Sequence, residues 1–189
     1  MLTVMLRVVV PFLLAAALTG CATTEPGTAT PGGQTPTGTS TSKSAPVNRP
    51  KAVDLKTLDP CTLITPETKA ALAIRTVEPG SSFAEYGDGS KACGASYEDR
   101  KYVYGLYTIL SGGVDKLRSG GEQITTSTAA GYPAYQSKDD KACRVYVDAH
   151  DGQLLLAAVN PSMGTDSTVD GACGRAKSLA DGVAAVLAK

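Results

Sequence analysis

Five cysteines, one histidine and a set of acidic and tyrosine side chains are where this 189-residue chain can do chemistry. The cysteines are Cys21, Cys61, Cys93, Cys143 and Cys173. No two of them form a C-x-x-C, so dithiol redox chemistry and zinc-ribbon coordination both lack their spacing. His150 is the only histidine. A catalytic base needs a nucleophile within reach and an orienting partner, whereas His150 precedes an Asp151-Gly152 turn, where exposed polar residues are ordinary. No serine sits in a Gly-x-Ser-x-Gly elbow, and the Gly112-Gly113 and Gly120-Gly121 pairs lack the phosphate-loop pattern. Asp139, Asp140, Asp148 and Asp151 lie close in sequence, and paired carboxylates serve glycoside hydrolysis or calcium binding. Lys138 and Lys141 flank the first two and no Asp-x-Asp-x-Asp-Gly loop is present, so the group reads as a solvated turn. The expectation is a non-enzyme without cofactor or metal.

The tyrosines form a second group. Tyr97, Tyr102, Tyr104, Tyr107, Tyr132, Tyr135 and Tyr146 all fall on predicted strands. Tyrosine packs well on half-exposed sheets, and its amphipathic ring also suits contacts with lipid, glycan or protein. Tyr102, Tyr104 and Tyr146 are the candidate binding residues.

The amino-terminal stretch 1–20 reads as a secretory signal. Arg7 and the terminal amine supply positive charge, and Val8 to Leu18 is an apolar run too short to span a bilayer core of about 30 Å. Leu18-Thr19-Gly20-Cys21 resembles the lipobox of bacterial lipoproteins. That resemblance implies cleavage before Cys21 and acylation of its thiol, with a membrane anchor on the outer face of the cell membrane. Export places the other four cysteines in an oxidising compartment, where an even number implies two disulfides. The count alone leaves three pairings open.

Residues 21–52 read as the lipidated cysteine and its tether. Twenty of the 31 residues 22–52 are Pro, Thr, Gly or Ser, a composition that cannot bury enough apolar surface to offset ordering entropy. As a coil such a segment reaches roughly 30 Å. From Val53 onward 14 Lys and Arg stand against 17 Asp and Glu, a net charge of −3. A nucleic-acid footprint would need a basic stripe, so no nucleic-acid partner is expected.

Residues 53–189 are the size of one domain. Asp59 before Pro60 and Thr65 before Pro66 are two helix-start signals, the second opening a short helix to about Ala73. "KACGASYEDRKYVYGLYTIL" reads as two strands around a charged turn, followed by a turn or short helix near Val114 to Leu117. "ITTSTAAGYPAYQS" reads as strand, Gly-Tyr-Pro bend, strand. "CRVYVDAHDGQLLLAAV" is a hairpin closed by Asp151-Gly152. Regular pairing from that turn sets Asp148 opposite Leu155 and Val147 opposite Leu156. Val145, Val147, Ala149, Leu154, Leu156 and Ala158 then form the core face. Tyr146, Leu155, Ala157 and Val159 form an outer face that is unusually apolar. Ala172, Ala176, Leu179, Val183 and Val186 recur at helical spacing after Asp170, a plausible cap. The predicted class is α+β: an antiparallel sheet of about five strands, with the N-terminal short helix and the C-terminal amphipathic helix on one face.

In order, the lipobox, the Thr-rich tether, "LDPCTLITPE", a second cysteine some thirty residues on, "GYPAY", "ACRVYVDAHDGQ" and "DGACGRAKSLADGVAAVL" resemble a family of actinobacterial four-cysteine lipoproteins known as a domain of unknown function. The resemblance covers most of Leu58 to Leu187. It implies the pairings Cys61–Cys93 and Cys143–Cys173. Family members often carry a tryptophan shortly after the second cysteine, whereas this chain has none and offers Tyr97. The functional expectation is a lipid-anchored extracytoplasmic binding or accessory module, capturing a protein, lipid or glycan. An envelope hydrolase with a carboxylate site and a structural subunit of an envelope complex are the alternatives.

Overall fold

The computed structural model describes residues 47–97 and 100–189, which lie within the compact unit Lys43–Lys189. The signal, Cys21 and most of the tether lie outside the described residues.

Two capped turns open the fold as the sequence predicts. The Asp59 carboxylate accepts from the Cys61 amide at 2.9 Å, starting the 3-10 turn Pro60–Leu63. Thr65 accepts from the Thr68 amide at 3.3 Å, starting α1 (Pro66–Leu72) with proline at its first position. Ala73 ends α1 in the left-handed region at φ 54°.

Among the described residues seven strands form one antiparallel sheet. They are β1 (Ile74–Gly80), β2 (Ala92–Tyr97), β3 (Tyr102–Ile109), β4 (Thr125–Ala129), β5 (Tyr132–Lys138), β6 (Cys143–His150) and β7 (Gln153–Pro161). Their order across the sheet is β1-β2-β3-β7-β6-β5-β4. The sheet is wider than the five or so strands expected. β1 escapes the sequence because "IRTVEPG" is an edge strand, almost wholly exposed and carrying Pro79, so it shows no apolar alternation.

The order dictates how the faces are covered. β3 is third from one edge and β4 is the opposite edge. Residues 110–124 must therefore cross over β7, β6 and β5, and they carry α2 (Val114–Ser119) across one face. α3 (Val169–Leu187) follows β7 and returns across the other face, packed on β6 and β7 and against α1.

The larger core lies under α3. Ala172, Ala176, Leu179, Val183 and Leu187 are buried there against Val145, Val147, Leu155, Ala157 and Val159. α3 starts two residues earlier than expected. Thr168 is its cap, accepting from the Gly171 amide at 3.1 Å, and Asp170 sits in the first turn. Both disulfides lie on this side. Cys61–Cys93 ties the first 3-10 turn to β2, and Cys143–Cys173 ties α3 to β6, as the family resemblance implies. Their loops span 32 and 30 residues, worth roughly 3–4 kcal/mol each in the chain-entropy model.

Two local predictions need correction. In the β6–β7 hairpin the Asp151-Gly152 turn forms, with Gly152 at φ 71°, and His150 pairs with Gln153. A bulge between Asp148 and His150 then shifts the register by one. Asp148 faces Leu154, Val147 faces Leu155 and Val145 faces Ala157. On β7 a shift of one residue exchanges the faces. Leu155, Ala157 and Val159 join the α3 core, while Leu154, Leu156 and Ala158 join Tyr146 on the other face. The β4–β5 turn sits at Ala130-Gly131, both at positive φ (44° and 88°), and Tyr132-Pro133 already belong to β5. Glycine meets the second positive φ of such a turn without strain.

The fold also begins earlier than Val53. Arg49, within the segment read as tether, donates to the Asp148 carboxylate at 2.6 and 3.0 Å and to Asp151 at 2.7 Å. The Val53 amide bonds the Ala149 carbonyl at 2.8 Å, and the fully buried Leu55 donates its amide to Gln153 at 2.6 Å. These contacts fix the start of the folded chain to the tip of the β6–β7 hairpin.

Candidate functional site

The three tyrosines expected to form a binding surface are buried and do not share a face. Tyr102 and Tyr104 project under α3, at 8% and 2% exposure. The Arg175 guanidinium lies 4.5 Å from the centroid of the Tyr102 ring and donates to the Tyr104 hydroxyl at 2.5 Å, which itself donates to the Leu72 carbonyl. These rings join α3, α1 and β3 and present no open surface. Tyr146 projects from the opposite face. Tyrosine content and strand alternation identify a packing role here; what covers each face depends on the long-range crossover of residues 110–124, which has no local signature.

The face that the crossover covers is built differently from the α3 face. Its buried cluster is Ile109, Tyr135, Tyr146, Leu154 and Leu156, with Val114, Leu117 and Ile124 laid over it from the crossover. α2 is only six residues long and buries none of them fully. Beside it the 3-10 turn Ala84–Tyr86 folds against the same face, and Tyr86 accepts amide bonds from Leu110 and Ser111 at 2.6 and 2.9 Å. Phe83, Tyr86 and Tyr107 form an aromatic trio with ring centroids 5.3–5.8 Å apart. Gly105 makes room for it, because a Cβ there would fall 2.5 Å from the Tyr107 ring. Phe83 is half exposed.

Between this trio and α2 opens a cleft of about 230 Å³. Tyr86, Ile109 and Leu117 give it an apolar wall, and Glu122 and Tyr146 give it a polar one. The Glu122 carboxylate accepts from the Tyr146 hydroxyl at 2.9 and 3.1 Å and from Ser137 at 2.6 Å. Burial pushes the Tyr146 phenol far above its ordinary range, and the neighbouring Glu122 charge pushes it further. It therefore stays a neutral donor at all physiological pH. Burial raises the Tyr86 phenol as well, with Tyr107 adding to the effect. Sequence reasoning passed over Glu122: it is a single acid in a loop, 15 residues from Ser137 and 24 from Tyr146.

The fold splits the acidic group near the hairpin: Asp148 and Asp151 share the Arg49 guanidinium, while Asp139 is held by Arg144. Asp139 closes its own turn, accepting from the Lys141 and Ala142 amides and from Arg144, each at 2.8 Å. The Arg144 hydrogen bond, helped by the backbone, draws the Asp139 carboxyl down to about 2. Asp148 is buried against Arg49; burial pushes its carboxyl up, and Arg49 pulls the other way. Asp151 is exposed at the turn. His150 only approaches the Asp151 carbonyl, at 3.3 Å. Among the described residues no three His, Cys, Asp or Glu side chains converge on a metal site, and no helix is long and apolar enough to cross a membrane.

Comparison with curated proteins gives no match, and comparison with solved structures gives none. Residues 16–185 match a family model, and with that match across most of its length the chain belongs to the family described as "protein of unknown function (DUF3558)".

Proposed function

We propose that this chain is a lipid-anchored, extracytoplasmic binding or accessory module, without catalysis of its own, whose capture site is the cleft beside α2. The anchor is supported by Leu18-Thr19-Gly20-Cys21 behind an apolar run, because one acyl chain binds a membrane reversibly and two hold it stably. Capture is carried by one observation: an otherwise apolar sheet face keeps an open cleft with a hydrogen-bonded carboxylate on its wall. Small-ligand sites have this composition, with apolar walls and few fixed polar groups.

Two experiments test the reading. Palmitate labelling in the producing cell is expected to disappear in Cys21→Ala; labelling that persists overturns the anchor. Native mass spectrometry of the full chain, extracted from its own envelope in mild detergent, is expected to show a bound small molecule. A bare chain contradicts capture, and a bound protein favours the assembly-subunit alternative. Turnover of envelope glycan that Glu122→Gln abolishes would instead establish a hydrolase.

A further inference from the structure

Resting on the reading of the α2 cleft as a capture site, we infer that its ligand presents a protonated amine on an apolar body. The charge arithmetic of the cleft carries this. Its charged lining residues are Glu85, Lys116 and Glu122. Glu85 is exposed. Lys116 is turned onto Ser111, donating to its hydroxyl at 2.9 Å and its carbonyl at 3.4 Å. Of the other cations on this face, Arg118 lies over the Tyr135 ring and 3.6 Å from Asp115, and Arg144 is bound to Asp139 at 2.8 Å and acts on Glu122 only at longer range. Glu122 is left as a half-buried carboxylate with two hydroxyl donors and no Lys or Arg among the described residues within 4.0 Å. Oε1 already accepts from both Ser137 and Tyr146, and Oε2, met only by the shared Tyr146 hydroxyl at 3.1 Å, keeps acceptor capacity.

The wall around that carboxylate suits a cation more than a neutral donor. Tyr86 and Tyr146 both line the cleft, and both phenols are held neutral by burial. An ammonium against an aromatic face gains from the ring quadrupole, and gains more when partly desolvated. It can donate a charge-assisted hydrogen bond to the acceptor position left on Glu122 Oε2. Ile109 and Leu117 then bury the alkyl or aryl body. An anionic ligand would meet the Glu122 charge in a partly desolvated site, where repulsion is weakly screened.

The test titrates the full chain with n-butylammonium, n-butanol and n-butyrate, reading backbone amide shifts by NMR. Butylammonium is expected to move amides between Ser111 and Glu122, at least tenfold tighter than butanol, with butyrate weakest. Glu122→Gln still accepts from Ser137 and Tyr146, so it keeps the fold, and it is expected to erase the preference for the amine. Equal affinity for amine and alcohol, tighter binding of butyrate, or an amine preference that survives Glu122→Gln overturns the inference while leaving the cleft a capture site. Absence of binding by all three probes overturns the inference as well, and the co-purified mass then decides separately whether the cleft captures anything. Leu117→Trp, which fills the cleft, is expected to abolish binding of every probe; butylammonium that still binds this variant sits elsewhere, and the inference fails.

Discussion

The two faces of the sheet solve different problems. Under α3 the packing is continuous. A 19-residue helix lays seven buried side chains on the sheet, and both disulfides stitch that layer down. The Tyr104 hydroxyl within it is engaged by carbonyl and guanidinium partners, whereas the Tyr132 hydroxyl, also buried there, has no hydrogen-bond partner among the described residues. Under α2 the cover is one short helix and a loop, the cluster is rich in tyrosine, and a carboxylate lines an open cleft. A small domain can concentrate stability in one layer and leave the other more thinly covered. Regions that bind ligands are drawn from the less stable parts of a fold for the same reason.

The sharpest way to break this contrast is to place the same charge on each side. Val183→Asp buries an unpaired carboxylate under α3 and is expected to cost about 5 kcal/mol or more, enough to unfold a domain of ordinary stability. Leu117→Asp, on half-exposed α2, is expected to cost about 1 kcal/mol; urea unfolding of both variants compares them. Comparable losses would erase the distinction between the faces. Next in size, replacing Cys143 and Cys173 together by alanine is expected to remove roughly 3–4 kcal/mol and to leave butylammonium binding intact at temperatures where the chain stays folded.

The Arg49 clamp sharpens the comparison at the hairpin tip. Arg49→Ala strands the buried Asp148 carboxylate and is expected to cost about 3 kcal/mol at neutral pH. Burial already raises the Asp148 carboxyl, and losing Arg49 raises it further. A carboxyl whose folded value lies above its unfolded value adds stability below the unfolded value of about 3.9 and loses it as pH rises through the folded one. The deficit of Arg49→Ala should therefore shrink as pH falls toward 4. A deficit independent of pH would show that the clamp acts through packing alone.

Much of the fold is legible in the sequence, and the losses have physical causes. Asp59, Thr65 and Asp151-Gly152 act locally, through side-chain caps and a turn that needs positive φ, and each forms where its residues predict. The alternation within β6 is equally plain. Its register against β7 is not, because the bulge next to Ala149 is fixed by tertiary contacts: the Ala149 carbonyl receives the Val53 amide, and Arg49 holds Asp148. The apolar outer face of the hairpin was visible as an anomaly. Its cause, a crossover from β3 to the far edge strand, is topological and leaves no local mark. Glu122 is the costliest miss for function, since only folding brings it to Ser137 and Tyr146.

Smaller effects test the polar wall. Tyr146→Phe removes a hydroxyl donated to Glu122 and is expected to cost roughly 1–2 kcal/mol, with Ser137 remaining as donor; no loss in thermal unfolding would mean the pair is not stabilising. Smallest is Asp139→Asn. The wild-type carboxyl is depressed to about 2 by Arg144 and turn amides, so its contribution is present above about 4 and lost as pH falls through about 2. Because the pair is partly exposed, screening holds this below about 1 kcal/mol. Acid titration of stability should show the wild type losing that increment and Asp139→Asn lacking it.

The central claim is that the α2 face does the capturing while the α3 face only holds the fold. Native mass spectrometry of wild type and Leu117→Trp, each extracted as the full chain from the same envelope, tests it directly. The account predicts a bound small molecule on the wild type and none on Leu117→Trp, with both chains folded. The same bound mass on both, or on neither, would contradict it.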